Sequence, residues 1–210
     1  MNRYGRVSFV LGVIVSVTQL LGCANASKDT AGNGQSANQG NADRCATSEN
    51  LLKDTDFSVN DGVGWVAELH GGTPSFNVTS SMGVLQIERT GPEPWMTYRQ
   101  WADIEGINNG RLIFTAELKG NLQSQPKLHA FKHVAGLWLQ PGGSVRSALV
   151  AEHEPNDGVW DWQTVSMEAD VVPNSSKAVA GFIHQTGGTL WVRNPRLVWS
   201  DCEEAPGGAS

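Results

Sequence analysis

An acidic chain of 210 residues, with a formal net charge of −6 and no basic patch, is a poor ligand for nucleic acid or anionic lipid. Its compositional outlier is tryptophan, 8 residues against 2 tyrosines. Flat indole faces stack on the C–H faces of sugar rings, and they also fill protein cores.

The first element in the chain is an export leader. Arg3 and Arg6 precede an apolar run from Val7 to Val17 that is too short to span a bilayer, and small residues close it. The closing Leu20-Leu21-Gly22-Cys23 resembles the lipobox of bacterial lipoproteins. The resemblance implies a signal peptide over 1–22 and a diacylglyceryl thioether on Cys23, with a further N-linked acyl chain such as palmitate. One acyl chain binds a membrane only marginally, whereas two or three hold it firmly. Ala24 stands where an Asp tends to retain such proteins at the inner membrane, so the resemblance implies the outer membrane. Loss of Arg3 and Arg6 with the leader takes the charge from −6 to about −8.

The stretch 23–44 follows, rich in Ala, Ser, Asn, Gly and Gln and without apolar periodicity. Such a segment buries too little surface to offset its ordering entropy and reads as a flexible tether. The tail 203–210 has the same character. Between them, 45–202 has the length of one ordinary domain. With Cys23 lipidated, Cys45 and Cys202 remain, one at each edge of that domain. In an oxidising compartment the pair reads as a disulfide, against the alternative of two free thiols. In the chain-entropy model a loop of that length contributes roughly 5 kcal/mol.

Within the domain the apolar pattern has period two. Val84 to Glu88 puts Leu85 and Ile87 on one face, and Arg111 to Lys119 does the same with Leu112, Phe114, Ala116 and Leu118. Met96–Trp101, His133–Gln140, Trp162–Ala169, Val179–His184 and Thr189–Val198 read alike. Clusters such as Gly71-Gly72-Thr73-Pro74, Asn108-Asn109-Gly110 and Asn156-Asp157-Gly158 separate them with turn chemistry. No helix longer than a turn or two is expected. The prediction is all-β, a two-sheet antiparallel β-sandwich.

Ala135-Gly136-Leu137-Trp138, Trp160-Asp161-Trp162-Gln163, Asp170-Val171-Val172-Pro173 and the run from Gly187 to Leu197 then narrow the sandwich. Over about 50–198 the chain resembles the galactose-binding-like jelly roll, the architecture of many carbohydrate-binding modules. Many such jelly rolls hold a structural calcium with carboxylates after the last aromatic. Here Arg193 occupies that place, and a cation in the shell opposes a hard metal ion. His129 and His133 lack a third ligand for zinc. No metal and no cofactor are expected.

Trp65, Trp138, Trp162 and Trp191 match fold landmarks and are assigned to the core. Trp95 and Trp160 sit at loop–strand junctions and are the stacking candidates. Glu93, Arg99 and Asp161 are the candidate partners for sugar hydroxyls, since carboxylates and planar polar groups pair with adjacent hydroxyls. The acidic loop containing Glu152, His153, Glu154 and Asp157 reads equally well as a solvated loop. Catalysis lacks a constellation. Glu168-Ala169-Asp170 begins a glycosidase-like carboxylate strand, but Pro173 takes the place of its last carboxylate. No nucleophile elbow or phosphate loop is present. Tyr98, Arg99, Gln100 and His184 would have to converge from different strands for a polysaccharide lyase.

The sequence therefore predicts an outer-membrane-anchored lipoprotein displaying a non-catalytic jelly-roll module for glycan or envelope polysaccharide. The alternative is a structural or interaction lipoprotein that docks another envelope protein, with a lyase or hydrolase behind both.

Overall fold

The computed structural model describes residues 46–58, 64–71, 74–123, 135–152 and 157–202, all within one compact unit, 42–210. The leader, Cys23, the tether, Cys45, His129, His133, His153, Glu154 and the tail 203–210 lie outside the described residues.

Ten strands build the domain: β1 (Trp65–Leu69), β2 (Phe76–Ser81), β3 (Val84–Arg89), β4 (Met96–Asp103), β5 (Arg111–Leu122), β6 (Ala135–Gln140), β7 (Leu149–Glu152), β8 (Gly158–Asp170), β9 (Lys177–His184) and β10 (Gly188–Ser200). Among the described residues the one helical element is a 3-10 turn, Val145–Ser147. The strands form two antiparallel five-stranded sheets, ordered β1-β4-β9-β6-β7 and β2-β3-β10-β5-β8. The all-β sandwich read from the sequence is the observed fold.

The period-two faces close on each other as expected. Leu85, Ile87, Leu112, Phe114 and Leu118 from one sheet meet Met96, Leu137, Leu139 and Phe182 from the other, all at 1% exposure or less. Each such side chain contributes about 1.5–3 kcal/mol by leaving water. At one end of this core Trp65 stacks on Phe182 (centroids 5.6 Å apart) and on Tyr98 (5.6 Å). The positions between, Thr97, Arg99 and Trp101 on β4 and Gly136 and Trp138 on β6, face the other way. They form the outer surface of the first sheet, because alternate side chains leave a strand on opposite faces.

Two irregularities shape the second sheet. β10 slips register between Arg193 and Arg196, where Asn194 has φ of 53° and Pro195 brings no amide hydrogen to the ladder. β8 slips against β5 between Leu118 and Gly120. At the far end the two ends of the domain run side by side. Thr47 bridges Ser200 in antiparallel sense, with Ser48 N–H donating to Trp199 O (2.9 Å) and Asp201 N–H to Ala46 O (3.2 Å).

Candidate functional site

A groove of about 520 Å³ lies on the outer surface of the first sheet, with Thr97, Arg99, Trp138 and Ile183 along it and Trp95, Glu68 and Gln185 around it. The strand register assembles this surface. Arg99 pairs with Gly181 and Gly181 with Trp138, while Thr97 pairs with Ile183. Glycine at 181 lowers the middle of the sheet: a Cβ there would come within 2.7 Å of the Arg99 side chain. Trp95 lies four residues before Arg99 on the same face, roughly 13 Å along the strand. Trp138 stands two strands across, roughly 10 Å away. The two indoles therefore frame a floor wider than one sugar ring.

The polar atoms beneath this floor are unusual. Thr97 Oγ1, Arg99 Nε, Trp138 Nε1 and Gln185 Nε2 are buried and have no hydrogen-bond partner among the described residues. A buried polar group left unpaired costs about 1–3 kcal/mol. Native proteins tolerate few of them, and each calls for an explanation such as an ordered water or a bound group. Arg99 is otherwise engaged. Its Nη2 pairs with Glu68, and its guanidinium carbon stands 5.2 Å from the Trp101 ring centroid. The cation is thus neutralised by Glu68 and oriented by Trp101.

Trp95 is braced from behind. Glu93, buried at 9% exposure, accepts a hydrogen bond from Gly71 N–H at 2.8 Å and faces His70 Nδ1 at 3.5 Å. The amide of Glu93 donates to Ser75 Oγ at 3.2 Å. The His70 ring in turn meets Trp95 edge-on, with centroids 5.7 Å apart. The Glu93 carboxylate is committed to this loop and leaves the groove to its neighbours.

Of the residues singled out from the sequence, Trp95 and Arg99 come together at the groove. Trp160 and Asp161 belong to β8 in the other sheet. Trp160 is 9% exposed and packs against Gly120, where a Cβ would fall 2.5 Å from its ring. It fills the core beside a bulge and offers no stacking face. Asp161 bonds Lys119 Nζ at 3.1 Å. A hydrogen bond from the Trp162 amide, then Lys119, holds its carboxyl below the usual aspartate value. Trp138, assigned to the core from its place in the fold, faces the groove instead. Its signal was present in the sequence: it alternates with the buried Leu137 and Leu139. Thr97, Gln185 and Glu68 carried no sequence signal of their own.

The lyase candidates do not converge. Tyr98 stacks on Trp65 inside the sandwich, and burial raises its phenol pKa. Gln100 bonds Lys53 N–H and O at 2.6 and 3.0 Å. His184 is fully buried, with Nε2 3.2 Å from Gly188 O. These three point inward, while Arg99 points out. In the second sheet Arg193, at the place where a calcium carboxylate was sought, bonds Glu117 at 2.6 Å and stands over Trp162 at 4.2 Å. Among the described residues no group of three or more His, Cys, Asp or Glu is placed to hold a metal ion.

No protein-family model matches the chain, and no curated protein matches it. Solved structures do share its fold. The enzymatically active domain of tailspike protein 4 from bacteriophage CBA120 aligns with a TM-score of 0.52 at 13% identity, covering 70% of this chain and 21% of that one. The chain thus spans about a fifth of the tailspike chain. TmCBM61, solved in complex with β-1,4-galactotriose, aligns with a TM-score of 0.50 at 11% identity over 71% of this chain and 98% of that one. The CBM22-1 xylan-binding domain of Paenibacillus barcinonensis Xyn10C aligns with a TM-score of 0.44 at 11% identity, covering 76% of this chain and 95% of that one. At such identities the likeness establishes the jelly-roll fold alone.

Proposed function

We propose that the domain is a non-catalytic carbohydrate-binding module whose site is the groove on the outer face of the first sheet. Trp95 and Trp138 supply the faces on which sugar rings stack. Thr97, Arg99, Gln185 and Glu68 supply hydrogen bonds to hydroxyls. One observation carries the reading: four unpaired buried polar atoms gather under a single groove framed by two indoles. Sugars present that same combination, C–H faces for the rings and hydroxyls at the edges. TmCBM61, which has this fold over nearly its whole length, is seen with a galactotriose.

The leader-like start and Leu20-Leu21-Gly22-Cys23 support a membrane-anchored module. In this reading Cys23 is lipidated, 23–44 tethers the domain to the outer membrane, and a Cys45–Cys202 disulfide closes the domain's base. The ligand class is then a glycan or polysaccharide of the cell envelope. The alternative, docking of another envelope protein, calls for a broad apolar patch. The groove with its buried polar atoms favours the sugar.

The test is a glycan-array screen of the full-length protein, envelope polysaccharides included, repeated with Trp95→Ala and Trp138→Ala. Hits that both substitutions weaken support the reading. A blank array with folded, oxidised protein overturns it and sends the search to protein partners.

A further inference from the structure

The groove is chemically two-sided, and its sides follow the strands. On the β1 and β4 side stand Glu68, Thr97 and Arg99. On the β6 and β7 side stand Trp138 and Val150, which pair directly, with Val145 of the 3-10 turn beside them. Val145 is 69% exposed, so a large aliphatic side chain faces water at the rim of a binding groove. Sugar hydroxyls gain nothing from such a wall, whereas a methyl group does.

Resting on the glycan reading above, we infer that the preferred ligand is a sugar bearing a methyl-containing substituent: an acetamido, an O-acetyl or a 6-deoxy group. Its ring hydroxyls lie over Thr97, Arg99 and Glu68. Its methyl lies against Trp138, Val150 and Val145. The spacing permits this division, because β4 and β7 are three strand intervals apart, roughly 14 Å. Glycine at 181 keeps the ground between them low. Among the described residues of the polar side, the one cation, Arg99, is paired with Glu68, which lessens its pull on acidic sugars. A single methyl accepted or refused by an apolar pocket is worth roughly tenfold or more in affinity.

The experiment is titration calorimetry of the full-length protein against matched pairs. The pairs are triacetylchitotriose and cellotriose, acetylated and deacetylated xylo-oligosaccharides, and L-fucose and L-galactose, with β-1,4-galactotriose as a further unsubstituted probe. The expected result is a preference of about tenfold or more for the methyl-bearing member of at least one pair. Val145→Ser and Val150→Thr are expected to abolish that preference, while the unsubstituted partner still binds. The three pairs distinguish acetamido, O-acetyl and deoxy sources of the methyl. Equal or tighter binding of the unsubstituted sugar in every pair overturns the inference and leaves the glycan reading standing. A preference that survives both substitutions overturns the assignment of the wall. No binding by any sugar, galactotriose included, removes the glycan reading and this inference together.

Discussion

Arg99 lies across the backbone of Gly181, so closely that a Cβ on residue 181 would come within 2.6 Å of the arginine Cα and 2.7 Å of its Cβ. The carbonyl oxygen of Tyr98 is nearer still. Gly181→Ala therefore forces β4 and β9 apart or turns Arg99 away from Glu68. Overpacking of this kind costs about 1–3 kcal/mol. A lowered urea midpoint together with loss of glycan affinity is the expected outcome. An unchanged midpoint with unchanged affinity would show that the low floor at residue 181 is not what shapes the groove.

The placement of the tryptophans predicts opposite phenotypes for substitutions that look alike in the sequence. Trp95→Ala and Trp138→Ala remove stacking faces from the groove, and each is expected to weaken glycan binding about tenfold or more, at roughly 1–3 kcal/mol per lost stacking partner. Trp160→Ala leaves a hole over Gly120 and is expected to cost about 3–5 kcal/mol of stability. Its affinity at a temperature where the protein remains folded should match the parent. Asp161→Asn breaks only a surface pair with Lys119 and should leave both properties as in the parent. Thermal melts beside calorimetric titrations separate these four variants.

The contrast shows what the sequence makes legible. The strands with clean alternation, β3, β5 and β10, bury the residues their period assigns to the core. The strands left unread, β1, β2 and β7, all stand at sheet edges. There only part of one face is covered, and the pattern loses its contrast; β2 alternates merely between half-buried and exposed. The site was legible where strand parity speaks, since Arg99 and Trp138 both alternate with core residues. Trp160 and Asp161 looked equivalent to Trp95 because loop–strand junctions say nothing about which sheet a strand joins. Sheet order is a matter of long-range pairing, such as β4 with β9 across some 80 residues, and local pattern does not encode it. Thr97 and Gln185 escaped notice because an unpaired polar atom exists only once its surroundings are built.

Buried His184 predicts an acid limit to stability. Its Nε2 faces Gly188 O, its Nδ1 has no hydrogen-bond partner among the described residues, and Phe76 packs edge-on with centroids 5.5 Å apart. Burial, with Arg89 also opposing a second positive charge, lowers its pKa to about 4 despite the bond to Gly188. The unfolded chain, with a histidine near 6.5, then binds a proton that the folded chain refuses. The stability contribution is complete above pH 6.5 and is lost as pH falls toward about 4. Over that window the loss is on the order of 3 kcal/mol. Urea titrations from pH 7 to pH 4 should show this slope, and His184→Gln should flatten it. An equal slope in the variant would assign the acid sensitivity to other titratable groups.

The base of the sandwich carries the argument for the disulfide. Thr47 and Ser200 are paired, and the bonds Ser48 N–H to Trp199 O and Asp201 N–H to Ala46 O flank that pair rather than join it. Thr47 and Ser200 are therefore a non-hydrogen-bonded pair, the kind in which facing Cα atoms approach to about 4.5 Å. In the sequence Cys45 and Cys202 each lie two residues beyond this pair, so the pairing of the two ends favours a bridge between them, although Cys45 itself is outside the described residues. The bridge would close nearly the whole domain into one loop, for which the chain-entropy model assigns roughly 5 kcal/mol. Alkylation before and after reduction, read by mass spectrometry, should show both cysteines protected only in the oxidised protein. Cys45→Ser and Cys202→Ser should each lower the urea midpoint, and the double substitution should lower it no further than either alone. Two freely alkylated thiols in protein isolated from an oxidising compartment would instead leave the Thr47–Ser200 pairing to hold the ends together unaided.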